Sequence, residues 1–408
     1  MNTNGNSNSI SSSNFEQELN LKNNNHNQYI NYKELYKKAK NNLNKLSSQK
    51  KLQVENIKDI LCNENISRRD FMKWVSATTA TLMLPSFFEP LVAQTIEVLN
   101  RVPVIWINLQ DCAGNSEALL RSDGPTLDEL IIDIISLEFH ELLMAPSGEN
   151  AEKQLEDTIN SFKGKYLLFV EGAVPTAENG IYGTIGSSGE TYVEHLKRLS
   201  SDAAAIIAVG TCATFGGAPA ASPNPTGATG VMGIIDNKPI INIPACPANP
   251  STMLGVILMY AMTGELPELD NLKRPKFAYG VRIHDACERR VHFDAGNFVE
   301  EWGDAGAQEG YCLYKMGCKG PYTFNNCPTA KYNAGTSWPV QAGHGCIGCS
   351  EPHFFDKFGR FETPSSYDIN YNPASDFRIG VVAGIGVLGA FSASKVHSLI
   401  NKEKEHGN

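Results

Sequence analysis

Ten cysteines constrain this chain more than any other feature, because nine of them fall between Cys112 and Cys349 and six crowd between Cys287 and Cys349. They stand close to glycine, proline or charged turn residues, whereas an inert core cysteine sits inside an apolar run. Thiols gathered this way are the pattern of metal clusters held by thiolates, and iron with sulfide is the first reading. A secreted disulfide framework is the alternative. Such frameworks belong to small domains without a core of their own, while this chain has 408 residues, 42% of them hydrophobic. That length predicts two domains plus extras around a core of ordinary size. The net charge of −9 argues against nucleic acid as a partner.

Residues 1–66 read differently: rich in Asn and Ser, with a lysine cluster from Lys33 to Lys51 and few apolar runs. Such a segment cannot offset its ordering entropy, so a mobile tail is expected. It ends at Ser67-Arg68-Arg69-Asp70-Phe71-Met72-Lys73, followed by a mildly apolar segment from Trp74 to Val92 and a small residue at Ala93. Residues 67–93 therefore look like a twin-arginine export signal, with cleavage expected near Ala93. Cys62 would be lost with the signal, leaving nine thiols.

From Val102 the pattern alternates. Short apolar, partly β-branched runs (Val104 to Leu109, Tyr166 to Val170, Ala204 to Val209, Pro239 to Ile243) separate helix-like stretches at Ser116 to Arg121, Leu127 to Leu143, Thr191 to Leu199 and Ser251 to Met262. Residues 102–264 are thus expected to form a flavodoxin-like α/β domain, a doubly wound parallel sheet with helices on both faces. Cys112, Cys212 and Cys246 each follow the carboxyl end of one of these strands. Ligands of open parallel sheets gather outside those ends, so thiols far apart in sequence can share one site.

Residues 274–371 lose the alternation and fill with Gly, Pro, Asn and aromatics. An irregular Cys-rich domain of this kind needs metal ligation to supply its organisation. Its candidate ligands start at His284 and Cys287, continue through Cys312, Cys318 and Cys327, and end at Cys346 and Cys349. Zinc is the non-redox alternative, since CxxC and HxxC both suit a tetrahedral ion.

Read in order, the motifs resemble one family. Asp111-Cys112 with Ser116-Glu117, Glu171-Gly172-Ala173, Gly210-Thr211-Cys212-Ala213, Pro244-Ala245-Cys246-Pro247, Arg282-Ile283-His284, Gly317-Cys318-Lys319-Gly320-Pro321 and Gly343-His344-Gly345-Cys346-Ile347-Gly348-Cys349 look like the small subunit of nickel-iron hydrogenases. A related subunit of the respiratory NADH-quinone enzyme shares the first site but normally lacks the set from His284 onward.

The resemblance implies three clusters. A proximal 4Fe-4S cluster would take Cys112, Cys212 and Cys246. A distal 4Fe-4S cluster would take His284, Cys287, Cys312 and Cys318, and a medial 3Fe-4S cluster Cys327, Cys346 and Cys349, with Pro339 where a fourth thiolate would otherwise reach. One proximal ligand is missing, because the usual Cys-x-x-Cys reads Cys112-Ala113-Gly114-Asn115. Some oxygen-insensitive relatives are similar, with aspartate there. A carboxamide is a weak iron ligand. Either Asn115, water, or a nearby oxygen of Glu117 or Glu171 binds the fourth iron, or Asn115 caps the helix near Ser116 and the cluster has three irons. Gly114 and Gly217 stand where six-cysteine oxygen-tolerant relatives carry extra thiols.

By the same resemblance the Ni-Fe site belongs to a large-subunit partner, and this chain is an electron wire from hydrogen oxidation to an acceptor such as a cytochrome or a quinone-linked protein. Its expected location is periplasmic, or the outer face of the cytoplasmic membrane. Residues 376–408 are expected to be a C-terminal helix or membrane anchor. The uncharged run from Ile379 to Ser394 is short against the ~20 apolar residues that span a bilayer.

Overall fold

The computed structural model describes residues 31–50, 75–76, 79, 82, 84–98, 101–122, 135–333 and 335–364. Five parallel strands build the central sheet: β1 (Val102–Asn108), β2 (Ile135–His140), β3 (Leu167–Glu171), β6 (Ala205–Val209) and β7 (Ile240–Ile243). Between β3 and β6 lies a small antiparallel ribbon of β4 (Thr184–Ile185) and β5 (Glu190–Thr191). The sheet order is β2-β1-β3-β6-β7, the flavodoxin-like order, which reverses direction between β1 and β3. β3, β6 and β7 are buried along their whole length, as expected for parallel strands covered on both faces.

One face packs against the helix Pro250–Thr263, the other against Glu149–Ser161 and Tyr192–Ser201. Helix ends follow local chemistry. Asn249 accepts the Ser251 N–H ahead of Pro250, and Gly264 closes that helix with a φ of 72°. Thr191 and Glu194 form a capping box at the start of Tyr192–Ser201.

Two expectations need correction. The stretch Leu127 to Leu143, read as helical, contains β2 over Ile135–His140, paired in parallel with β1. Ile135, Leu137 and Phe139 alternate with Ser136, Glu138 and His140, a strand period that is hidden because apolar residues continue the sequence on both sides of it. The second correction concerns the N-terminal tail, because Tyr32–Lys50 is a helix packed on Pro250–Thr263. It is polar overall, yet Tyr32, Leu35, Tyr36, Ala39 and Leu43 repeat at helical spacing and join the main core. Asn42 Nδ2 donates to Ala261 O at 3.1 Å and Met262 O at 3.2 Å, and Lys38 pairs with Glu265 at 3.0 Å.

In the segment expected to be an export signal, Leu82, Leu84, Phe88, Leu91 and Val92 are buried in the same core. Ala93 lies half-buried within the helix Glu89–Val98. Arg68, Arg69 and the run Ile379–Ser394 fall outside the described residues. Among the described residues no helix is long and apolar enough to cross a membrane.

Beyond Gly264 the chain is held by short helical turns around Ile283, Val299, Leu313, Trp338 and Val340, with Cys327 and Cys346 inside the same cluster. Replacing Asn42 with Ala removes two hydrogen bonds to the last turn of Pro250–Thr263 and is expected to destabilise the uncleaved chain by about 1–3 kcal/mol. Thermal unfolding of N42A against the parent checks this, and the difference should vanish in a chain cleaved after residue 50.

Candidate metal centre

Three of the candidate thiols stand where the parallel sheet presents its carboxyl ends. Cys112 follows β1, Cys212 lies in the helix Gly210–Phe215 directly after β6, and Cys246 follows β7. They are mutual neighbours: Cys212 lies within electrostatic reach of both Cys246 and Cys112, and Cys246 within reach of Cys112. The Cys112 turn is held in an unusual backbone, Ala113 taking a φ of 58° while its N–H donates to Asp111 Oδ1 at 3.3 Å. A left-handed alanine persists only where its surroundings dictate it.

Glu171, the last residue of β3, organises this end of the sheet. It is fully buried and accepts from Trp106 Nε1 and Asn108 Nδ2, both at 3.2 Å, from Asn115 N at 2.7 Å and Ser116 N at 3.1 Å, and from the Asn115 and Ser116 side chains. His140 extends the network. Its ring stacks on Trp106 at 5.1 Å, its Nδ1 accepts the Leu142 N–H, and its Nε2 meets Ser116 Oγ at 3.2 Å. Burial lowers the His140 pKa to about 4, so the ring stays neutral. The helix that follows Cys112 spans Gly114–Leu120 with Ala113 at its N-cap and no side-chain cap. Asn115 is therefore not a capping residue, contrary to one of the two sequence readings.

The second set comprises Cys327, Cys346 and Cys349. Cys346 lies within reach of both of the others, and a cavity of about 470 Å³ is lined by Cys246, Cys327, Tyr332, Pro339, Cys346 and Cys349. In the third set, Cys312 neighbours Cys318 and Cys287. His284, in the short helix Ile283–Ala286 just before Cys287, has its pKa lowered to about 4 by burial and by Arg290, which leaves a neutral imidazole fit to ligate. Phe293 meets that ring edge-on at 4.6 Å.

The second set adjoins both of the others. Cys349 of the second touches the field of Cys246 of the first, and Cys346 N donates to Cys318 Sγ of the third at 3.2 Å. The approach between the last two depends on Gly345, where an added Cβ would sit 2.9 Å from Cys318 Cα. Thr211 Oγ1 donates to Cys349 O, tying the strand-end site to the second set.

The donor set fits iron-sulfur clusters. All nine described cysteines are free thiols, which sets aside the disulfide reading. Among the described residues no three His, Cys, Asp or Glu side chains converge on one point as they would around a single ion. A zinc site draws all its ligands to ~2.3 Å of one centre, whereas each thiolate of a cluster serves a different iron. Burial pushes the Cys212, Cys312 and Cys327 thiols up to about 12, so ligation must displace their protons.

Residues 279–362 match the family described as the C-terminal part of the NiFe/NiFeSe hydrogenase small subunit, and residues 112–260 that described as NADH ubiquinone oxidoreductase, 20 Kd subunit. The chain is 49% identical over 355 residues to the quinone-reactive Ni/Fe-hydrogenase small chain of Wolinella succinogenes, a match covering 85% of this chain and 100% of that one. The chain belongs to the small subunits of nickel-iron hydrogenases. The uptake hydrogenase small subunit of Azotobacter vinelandii is 44% identical over 84% of this subunit and 95% of its own length. A solved structure of the reduced, active Ni-Fe-Se hydrogenase from Desulfomicrobium baculatum matches with a TM-score of 0.62 and 35% identity, covering 65% of this subunit and 100% of that chain.

Sequence reading missed the pins of this small subunit. Arg274, almost fully buried, pairs with Asp270 at 2.8 Å and Glu351 at 3.0 Å and donates to Ser350 O, joining the sheet edge to the loop of Cys346 and Cys349. Lys319 is buried and its Nζ donates to Gly317 O at 2.7 Å, and to Phe361 O and Thr363 O, beside Cys318 and Cys346. A basic residue within a motif otherwise free of charge was the available signal for Lys319, whereas nothing local marks Arg274. Removing Arg274 as R274A leaves Glu351 buried without its partner and is expected to cost about 3–5 kcal/mol. Urea unfolding of the R274A and R274A/E351Q variants checks it, the double variant recovering part of the loss.

Proposed function

We propose that this small subunit relays electrons, one at a time, between the nickel-iron site of a large-subunit partner and an external acceptor through three iron-sulfur clusters. The observation that carries the reading is the adjacency of the three thiol sets, linked by Cys349 beside Cys246 and by Cys346 beside Cys318. Electrons would enter at Cys112, Cys212 and Cys246, pass Cys327, Cys346 and Cys349, and leave at His284, Cys287, Cys312 and Cys318. Iron-sulfur clusters, when bound, supply one-electron redox chemistry with potentials set by ligand type, hydrogen bonds to sulfur and exposure.

The chain's own residues set those conditions. Backbone N–H groups of Arg289, Cys346 and Gly348 donate to Cys287, Cys318 and Cys346 Sγ at 3.4, 3.2 and 3.4 Å, stabilising thiolate charge. The buried Lys319 ammonium adds a positive charge beside Cys318 and Cys346. His284 in place of a thiolate reduces the negative charge at the exit, which raises potential and draws electrons outward. Gly114 and Gly217 leave the neighbourhood of Cys112 and Cys212 without further thiols; an added Cβ would lie 3.1 and 2.7 Å from the two Sγ atoms.

Relatives named as quinone-reactive and as uptake hydrogenases favour hydrogen oxidation, with a quinone-linked protein or cytochrome as acceptor. Export by the twin-arginine route, to the periplasm or the outer face of the cytoplasmic membrane, completes the proposal.

Metal and sulfide analysis of the heterodimer, with electron paramagnetic resonance of its oxidised and reduced forms, tests the relay. An oxidised three-iron signal and reduced four-iron signals are expected, whereas zinc without any signal would sink the reading. In a C349A variant the oxidised three-iron signal should be lost, and hydrogen-driven reduction of an external dye should fall at least tenfold while hydrogen-deuterium exchange at the partner's site persists.

A further inference from the structure

We propose that Asn115 is a structural pin and not an iron ligand, so that the strand-end site offers three thiolates and leaves one corner of its cluster without a ligand from this chain. The inference rests on reading Cys112, Cys212 and Cys246 as cluster ligands and goes beyond it by assigning the fourth position.

Partner accounting around Asn115 carries it. The carboxamide is buried at 7% exposure, its Oδ1 accepts the Ala248 N–H at 2.8 Å, and its Nδ2 donates to Glu171 Oε1 at 3.1 Å. The side chain thus bridges the loop after β7 to the end of β3. Its backbone N–H donates to the same Glu171 oxygen at 2.7 Å, which locks the residue from two directions. Turning the amide toward a cluster would break both side-chain bonds and strand the buried Ala248 N–H, in exchange for a neutral oxygen ligand that binds iron weakly. Gly210 is shaped around this arrangement: with a φ of 81°, an added Cβ there would sit 2.5 Å from Asn115 Nδ2 and 2.6 Å from Oδ1.

The neighbouring oxygens are engaged as well. Glu171 is saturated by the donors from Trp106, Asn108, Asn115 and Ser116. Asp111 accepts from Asn108 Nδ2 at 2.6 Å and from Ala113 N. Glu117, at the rim of the cavity that Cys246 also lines, is paired with Arg121 at 2.7 Å. Cys112 and Cys246, by contrast, are exposed. Cys212 is half-buried between them, and the carboxamide lies in the interior.

A corner iron without a protein ligand is labile. One-electron oxidation by ferricyanide converts a dicationic four-iron core into a monocationic three-iron core, releasing one ferrous ion and giving one electron to the oxidant, and EDTA holds the released iron. Purified heterodimer treated this way should show a twofold rise in the oxidised three-iron resonance, reversed by ferrous iron and a reductant. Asn115→Ala should show the same twofold rise, and Asn115→Cys should show none. A native protein that keeps its iron, a rise confined to Asn115→Ala, or a rise that persists in Asn115→Cys would each overturn the proposal. Should Asn115→Ala fail to assemble, native protein labelled with 13C at asparagine Cγ decides by electron-nuclear double resonance, where a resolved coupling to the reduced strand-end cluster means ligation and its absence supports the pin. A preparation holding zinc, or no cluster at all, would instead overturn the electron-relay reading.

Discussion

The buried carboxylate of Glu171 is the interaction on which the cysteine-bearing end of the sheet depends. A carboxylate with no exposure is tolerated only when hydrogen bonds replace its hydration, and here every donor comes from an element that shapes the strand-end site. Trp106 and Asn108 belong to β1, while Asn115 and Ser116 open the helix that follows Cys112. Because Asn115 also reaches Ala248, the same network fixes the loop that carries Cys246. The reversal of strand order between β1 and β3 makes this convergence geometrically available. Cysteine positions thus inherit their precision from a polar knot and not from the apolar core beneath it.

The irregular region after Gly264 obeys a different logic. Its apolar cluster is small and counts Cys327 and Cys346 among its members, so little of its organisation comes from hydrophobic burial alone. Two buried cations substitute for secondary structure. Arg274 fastens the loop of Cys346 and Cys349 to the sheet edge, and Lys319 gathers the carbonyls of Gly317, Phe361 and Thr363. Ligation, as proposed, would add the remaining constraint, since thiols held protonated by burial gain their full bonding only when metal displaces the proton.

Much of this was legible in the primary structure, for identifiable reasons. The strands β3, β6 and β7 are short, mostly apolar runs bounded by turn residues, and the thiols behind them announced a common site. β2 escaped because its alternation of Ile135, Leu137 and Phe139 with polar residues is short and runs into apolar residues on both sides. Tyr32–Lys50 escaped because its lysines and asparagines dominate composition, although Tyr32, Leu35, Ala39 and Leu43 keep helical spacing. The nearly all-apolar helix Pro250–Thr263, together with Phe87 and Phe88, gives that face something to cover.

The sequence by itself determined the chemistry: which thiols and which imidazole are available, their order along the chain, and the family to which their motifs belong. Tertiary structure alone decided how the three sets adjoin and the orientation of Asn115. Ligand type is a property of a residue and survives in one dimension. Whether a carboxamide faces a metal or a carboxylate depends on which buried donors and acceptors would otherwise be left unpaired, and Ala248, Glu171 and Gly210 meet Asn115 only in the folded chain.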